Sequence, residues 1–370
     1  GKFEMKYIDE FRNSAVAKKL VAQIHAAVQP ETQYRLMEFC GGHTHAIHRY
    51  ALNQLLPKNI KLIHGPGCPV CVLPIPRIDQ AIWLASQAEV ILCSYADMIR
   101  VPGDKQDSLI KAKARGADVR IIYSVADALQ IAKLNPSKTV VFFAIGFETT
   151  TPPTAHAILE AKRLGLTNFK VFCNHVLTPV AMAAILHNAE VKIDGFIGPS
   201  HVSIVIGSDA YKKVSDDYQK PIVIAGFEPL DVIQSILFLV ELINENKVAI
   251  VNQYSRAVTT TGNMMAQQMI AQVLEVRDQF SWRGLGNIPA SGLKIRDEYA
   301  EFNAEVAFDI PEFDSDDVKA CECPQILRGL KEPHECKLFG KACTPEHPMG
   351  ACMVSSEGAC AASYQYGVIK

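Results

Sequence analysis

Long hydrophobic runs are missing from this chain of 370 residues. The best candidate, Val232 to Ile243, is broken by Gln234, Ser235 and Glu241 and stays well short of the ~18 apolar residues of a membrane span. An excess of charge is missing too: 37 Lys+Arg stand against 39 Asp+Glu, which argues against nucleic acid or an anionic membrane as the partner. There is no low-complexity tract and no charge block. The opening Gly-Lys-Phe-Glu-Met-Lys has neither an apolar core nor a small-residue cleavage site, so no secretory signal is expected and the cytoplasm is the expected compartment. Cysteine, finally, is absent between residues 174 and 320.

That gap makes the placement of the 11 cysteines informative. Cys40, Cys68, Cys71, Cys93 and Cys173 are spread over the first half, and Cys321, Cys323, Cys336, Cys343, Cys352 and Cys360 crowd the end. A chain with 49% hydrophobic residues has ample core and little need of covalent staples, so metal binding or thiol chemistry is the better explanation.

Short continuous apolar runs alternate with helical patterns. Expected strands are Tyr34–Phe39, Ile60–His64, Val90–Ser94, Val119–Tyr123, Thr139–Ile145, Phe169–Asn174, Gly195–Ile197 and Ile222–Ala225. Expected helices are 12–28, His45–Leu56, Ile78–Gln87, Gln106–Arg115, Thr154–Leu164, Pro179–Ala189, Leu230–Asn244 and Met264–Asp278. Unalternating strands separated by helices indicate parallel sheets covered on both faces. The expected fold is α/β: two parallel-sheet domains, 31–123 and 124–229, flank a cleft. A mostly helical and irregular domain, 230–370, which ends in the cysteine-dense tail, follows, with the N-terminal helix of 1–30 packed on it. Ligands of such sheets sit at the carboxyl ends of the strands.

Those ends carry the motifs. Phe39-Cys40-Gly41-Gly42-His43-Thr44-His45 combines a glycine turn with a cysteine whose thiolate a helix N-terminus would favour; a plain buried cysteine before a turn is the alternative. His43, His45 and His48 also suggest zinc, a weaker reading because no Asp or Glu lies within the motif. His64-Gly65-Pro66-Gly67-Cys68-Pro69-Val70-Cys71 puts Cys-x-x-Cys after a strand, the arrangement of a thiol–disulfide pair; half a zinc site and two inert thiols are alternatives. Gly146-Phe147-Glu148-Thr149-Thr150, Cys173-Asn174-His175 and Gly198-Pro199-Ser200-His201 also end strands, and Ala225-Gly226-Phe227-Glu228 repeats part of the first. In the tail, Cys321-x14-Cys336-x6-Cys343-x16-Cys360 offers the four thiolates of a [4Fe–4S] cluster and lacks the two close pairs of most structural zinc sites. Cys323 competes with Cys321 as first ligand, tetrahedral zinc is the minority reading, and Cys352 is a spare.

These motifs, in this order, together with Cys352-Met353-Val354-Ser355-Ser356-Glu357-Gly358-Ala359-Cys360, resemble the HypD family of [NiFe]-hydrogenase maturation factors along nearly the whole chain. One departure is Ala96 in Tyr95-Ala96-Asp97-Met98, where many relatives have Gly. The resemblance implies a scaffold that assembles the Fe(CN)2CO group together with HypC, with cyanide arriving from HypE and, upstream of it, HypF. It implies Cys40 as ligand of that iron with His43 close by, Cys68 and Cys71 as the redox pair, and Cys321, Cys336, Cys343 and Cys360 as ligands of a [4Fe–4S] cluster. Glu357 is implied beside the cluster or the thiol path. A stand-alone, cluster-dependent thiol–disulfide oxidoreductase is the competing function.

Overall fold

The computed structural model describes residues 13–188, 190–316 and 319–367. The opening hexapeptide, the first residue of the expected N-terminal helix and Ala189 lie outside the described residues.

The strands are β1 (Tyr34–Glu38), β2 (Ile60–His64), β3 (Val90–Ser94), β4 (Asp118–Ile121), β5 (Thr139–Gly146), β6 (Phe169–His175), β7 (Gly195–Gly198), β8 (Ile222–Ile224) and β9 (Ile250–Asn252), followed by β10 (Leu274–Val276), β11 (Gln279–Trp282), β12 (Gly286–Pro289) and β13 (Leu293–Ile295). Two parallel sheets result, in the orders β2-β1-β7-β8-β9 and β4-β3-β5-β6. The α/β class is as the apolar runs indicated. β5 shows why: seven of its eight residues are buried, as a strand covered by helices on both faces requires.

The division into domains is corrected. The boundary at 123/124 would cut through the second sheet, since β3 and β4 pair alongside β5 and β6, while β1 of the first half pairs β7 of the second with Leu36 opposite Gly195. Residues 229–252 belong to the first sheet rather than to a terminal domain: helix Pro229–Asn244 covers it, and β9 is its edge. The N-terminal helix, Ser14–Ala27, packs on that covering helix, burying Ala17 and Ile24 with Val232 and Ile236, and not on the cysteine-rich tail. The reason is chemical: both helices carry apolar stripes that close over one sheet face, whereas the tail spends its buried side chains elsewhere.

Local differences have local causes. The expected helix Met264–Asp278 stops at Val273 because the chain continues as β10, paired antiparallel with β13. A helix no pattern suggested, Val125–Leu134, is started by a capping box between Ser124 and Asp127. The Gly41-Gly42 pair forms the first turn of helix Gly41–Arg49 instead of a loop before it.

One continuous apolar cluster joins the inner faces of both sheets to the tail: Met37, Phe143, Phe172 and Phe196 share it with Cys71, Cys323, Cys352 and Met353. The tail is therefore docked, not separate. Its helix Ala359–Tyr366 lies on Gly41–Arg49, and the short helix Ala351–Val354 lies on Pro69–Val72.

Candidate functional site

Cys40 caps the helix Gly41–Arg49 in an extended conformation, φ −143°. The residue is half-buried, and burial pushes its thiol up to about 11, although the backbone N–H groups of His43 and Gly42 favour thiolate. The expected thiolate is thus corrected: desolvation outweighs the helix terminus. Gly41 is obligatory here, because a Cβ on it would lie 2.4 Å from Cβ of Glu357. The exposed Glu357 side chain rests on the Cys40 turn and lines a small cavity with Cys68 and Cys71.

Behind Cys40 stands Glu38, the last residue of β1 and fully buried. Its Oε2 accepts the Cys40 N–H at 3.1 Å; its Oε1 accepts from Thr44 Oγ1 and lies 2.7 Å from His64 Nδ1. His64 Nε2 is 3.0 Å from His48 Nε2. The Glu38 carbonyl accepts the Gly65 N–H at 2.8 Å, so one residue ties the Cys40 turn to the loop leading to Cys68. The histidines do not make a zinc triad. His48 turns to His64, His45 Nε2 meets Tyr366 Oη at 3.1 Å, and buried His43 points its Nε2 at the carbonyls of Gly226 and Ala225, at 3.0 and 3.2 Å. Two carbonyl acceptors put the His43 proton on Nε2. Its Nδ1 has no hydrogen-bond partner among the described residues.

The glycines of Gly65-Pro66-Gly67 allow backbone contact: a Cβ on Gly67 would stand 2.7 Å from the Cys40 nitrogen. The next residue, Cys68, caps the helix Pro69–Val72 and forms a disulfide with Cys71, Cα atoms 5.2 Å apart. Cys68 and Cys71 are 4% and 0% exposed. Cys71 Sγ lies 4.0 Å from the Ala351 carbonyl, one residue before Cys352.

There the tail begins to contribute sulfur. Cys321, Cys323, Cys336, Cys343, Cys352 and Cys360 all line one cavity, whose other walls are apolar, with Ile326, Leu338, Phe339 and Met353. Cys323 is in hydrogen-bonding contact with Cys321 and Cys352, and Cys352 with Cys360. Thus Cys321, Cys336, Cys343 and Cys360 are brought together, and Cys323 and Cys352, which the spacing left over, complete the wall. Among the described residues no three or more His, Cys, Asp or Glu side chains converge on a common point in ligand geometry; the thiols close on one another instead. The donor set itself, all sulfur in an apolar setting, fits an iron–sulfur cluster.

The ends of the second sheet are built differently. Gly146, φ +144°, turns the chain tightly, Thr151 Oγ1 donates to the Phe147 carbonyl at 3.0 Å, and buried His175 meets Thr154 Oγ1 at 2.8 Å. Glu148 accepts the Thr178 N–H but leaves Oε2 without a partner, and burial pushes its carboxyl up to about 7. Cys93 and Cys173 are buried in this sheet's core.

Glu38 escaped the motif reading, although a carboxylate ending a buried apolar strand was the available signal, and His64 was read only as the start of the Cys-x-x-Cys motif. Arg283, 3% exposed beside the Cys-x-x-Cys helix, had none.

Fold and site together define a parallel α/β protein with a chain of sulfur centres at its strand ends. This chain belongs to the HypD family: it matches HypD, described as the "Hydrogenase formation hypA family", over residues 15–367. It is 60% identical over 368 residues to the "Hydrogenase expression/formation protein HupD" of Azotobacter chroococcum, covering 98% of this chain and 97% of that one. It is 58% identical to "Hydrogenase maturation factor HypD2" of Bradyrhizobium diazoefficiens, over 98% and 97% of the two chains. To "Hydrogenase maturation factor HypD" of Escherichia coli it is 48% identical over 98% of each.

Proposed function

We propose that this chain holds the iron of the Fe(CN)2CO group while that group is assembled for a [NiFe]-hydrogenase, in complex with HypC and with cyanide delivered from HypE, itself served by HypF. Family membership carries the coarse part, a role in hydrogenase formation. The finer part rests on one observation: Cys40, the Cys68–Cys71 disulfide and the cysteine-lined cavity follow one another across two contacts, Gly67 on the Cys40 backbone and Cys71 on Ala351.

Cys40 gives low-spin iron the soft thiolate it prefers, and because burial keeps the free thiol protonated, iron binding displaces a proton. His43, fixed by the carbonyls of Ala225 and Gly226, keeps an Nδ1 lone pair beside the turn. A [4Fe–4S] cluster held by Cys321, Cys336, Cys343 and Cys360 would supply one-electron chemistry. Glu357 closes the small cavity between Cys40's turn and the disulfide. The competing stand-alone oxidoreductase is disfavoured, since a protein substrate's thiol has to reach a disulfide and this one is buried. Among the described residues no helix is long and apolar enough to cross a membrane.

The test is the complex with HypC isolated anaerobically. The parent is brown, holds about four cluster irons, and shows infrared bands of cyanide and CO; Cys40→Ala keeps the colour and loses the bands. Bands retained in Cys40→Ala sink the ligand assignment, and a colourless zinc protein sinks the cluster.

A further inference from the structure

The motif Gly146-Phe147-Glu148-Thr149-Thr150 is taken up by neither the iron site nor the sulfur centres. Glu148 lines a cavity of about 310 Å3, a size within the range of small-molecule sites. Its walls come from both sheets: Leu177 follows β6, Ile206 ends the helix Ser200–Ile206 after β7, and Ile270 and Leu274 stand on the helix Met264–Val273 and on β10. Two other charged residues face the cavity, and they are paired. Arg296 Nη1 lies 3.3 Å from Glu275 Oε2, and Lys294 stands 3.7 Å from the other Glu275 oxygen. Glu148 is not paired. It is 4% exposed, its Oε1 accepts the Thr178 N–H, and its Oε2 has no hydrogen-bond partner among the described residues. Burial and hydrogen bonding act on this carboxyl, and no cation among the described residues does. A carboxylate in an apolar wall is costly without a counter-charge, so a ligand that brings one offsets the cost on binding. A single free oxygen suits the compact ammonium, whereas a planar guanidinium or amidinium fork is matched to two.

We propose that this cavity binds a small organic cation, a primary ammonium on an apolar body, with the ammonium donating to Glu148 Oε2 and the body lying on Leu177, Ile206, Ile270 and Leu274. The ligand touches residues that follow strands of both sheets, so it braces one set of strand ends against the other. None of these residues carries a role at the iron or at the sulfur centres, and the site stands whether or not those assignments do.

The experiment titrates the full chain calorimetrically with phenethylamine, anaerobically at about pH 8, above the value of about 7 to which burial pushes the Glu148 carboxyl. Phenethyl alcohol and hydrocinnamate keep the ring and replace the ammonium by a neutral and an anionic head, and circular dichroism confirms the fold of each variant. In the parent the amine saturates one site, binds about tenfold more tightly than the alcohol, and is not displaced by hydrocinnamate. Glu148→Gln keeps the size and loses the charge: the amine falls about tenfold, to the level of the alcohol, and the alcohol itself binds as in the parent. A damaged cavity would lose both. Ala271→Trp, at an exposed position on the cavity wall, keeps Glu148, obstructs the cavity and weakens amine and alcohol alike; it carries the test if the Gln variant does not fold. Amine that does not saturate, amine no tighter than alcohol in the parent, or amine binding unchanged in either variant overturns the proposal.

Discussion

Glu38 ends β1 in one sheet and Glu148 follows β5 in the other; they are 0% and 4% exposed. Glu38 is met by the Cys40 N–H, Thr44 Oγ1 and His64, and its own carbonyl takes the Gly65 N–H. Glu148 is met by the Thr178 N–H, and one oxygen is left over. A buried carboxylate costs several kcal/mol unless donors compensate it. Where the surrounding loops supply donors, the acid becomes a tie between two loops. Where they do not, burial drives it toward its neutral form. The first situation coincides with the sulfur centres, whose relative placement the tie maintains.

The sharpest break of this comparison is Glu38→Ala. It leaves three donors facing a void, and removing one partner of a buried, charge-assisted network costs about 3–5 kcal/mol. The expected outcome is the largest fall in denaturation midpoint among the variants considered, together with lost iron loading at Cys40. A fall equivalent to less than ~1 kcal/mol means that the network does not hold the two loops.

How far such a network was legible depends on the scale of the signal. β2 and β3 were readable to the residue, as Ile60–His64 and Val90–Ser94, because a continuous apolar run has sharp ends. Sheet membership was not. The pairing of Leu36 with Gly195 is a tertiary choice among equally apolar strands, and nothing in either run encodes it. Cysteine positions announced themselves through spacing. Cys323 and Cys352 looked surplus because spacing counts ligands, while the cavity wall is set by which loops fold inward. Glu38, buried in a strand, carries no motif; its role exists only once His64, some two dozen positions later, lies beside it.

Glu148→Gln tests the other side of the comparison and is next in size. The folded carboxyl is raised from 4.5 to about 7, so the stability it contributes is complete below about pH 4.5 and is lost as pH rises through about 7. A rise from 4.5 to about 7 corresponds to roughly 3.4 kcal/mol at most. The parent's stability should therefore decline between about pH 4.5 and 7, a decline that Glu148→Gln lacks, with the variant the more stable above pH 7. Parallel pH curves for the two proteins would show that Glu148 is not held near neutrality.

The smallest effect belongs to Thr154→Val, also at the end of the second sheet. His175 is held neutral by burial, its pKa brought down to about 4. Its Nδ1 faces the Gly146 carbonyl at 3.3 Å, which makes Nδ1 the donor and leaves Nε2 to accept from Thr154 Oγ1 at 2.8 Å. This is a neutral bond, unlike those around Glu38, and its loss leaves one buried acceptor unpaired, a cost of about 1–2 kcal/mol. Thr154 touches none of the sulfur centres, so the variant's Cys68–Cys71 equilibrium and its iron loading should match the parent. A shift in either would mean that the two sets of strand ends are coupled through the shared apolar cluster, and that the second sheet does more than support the first.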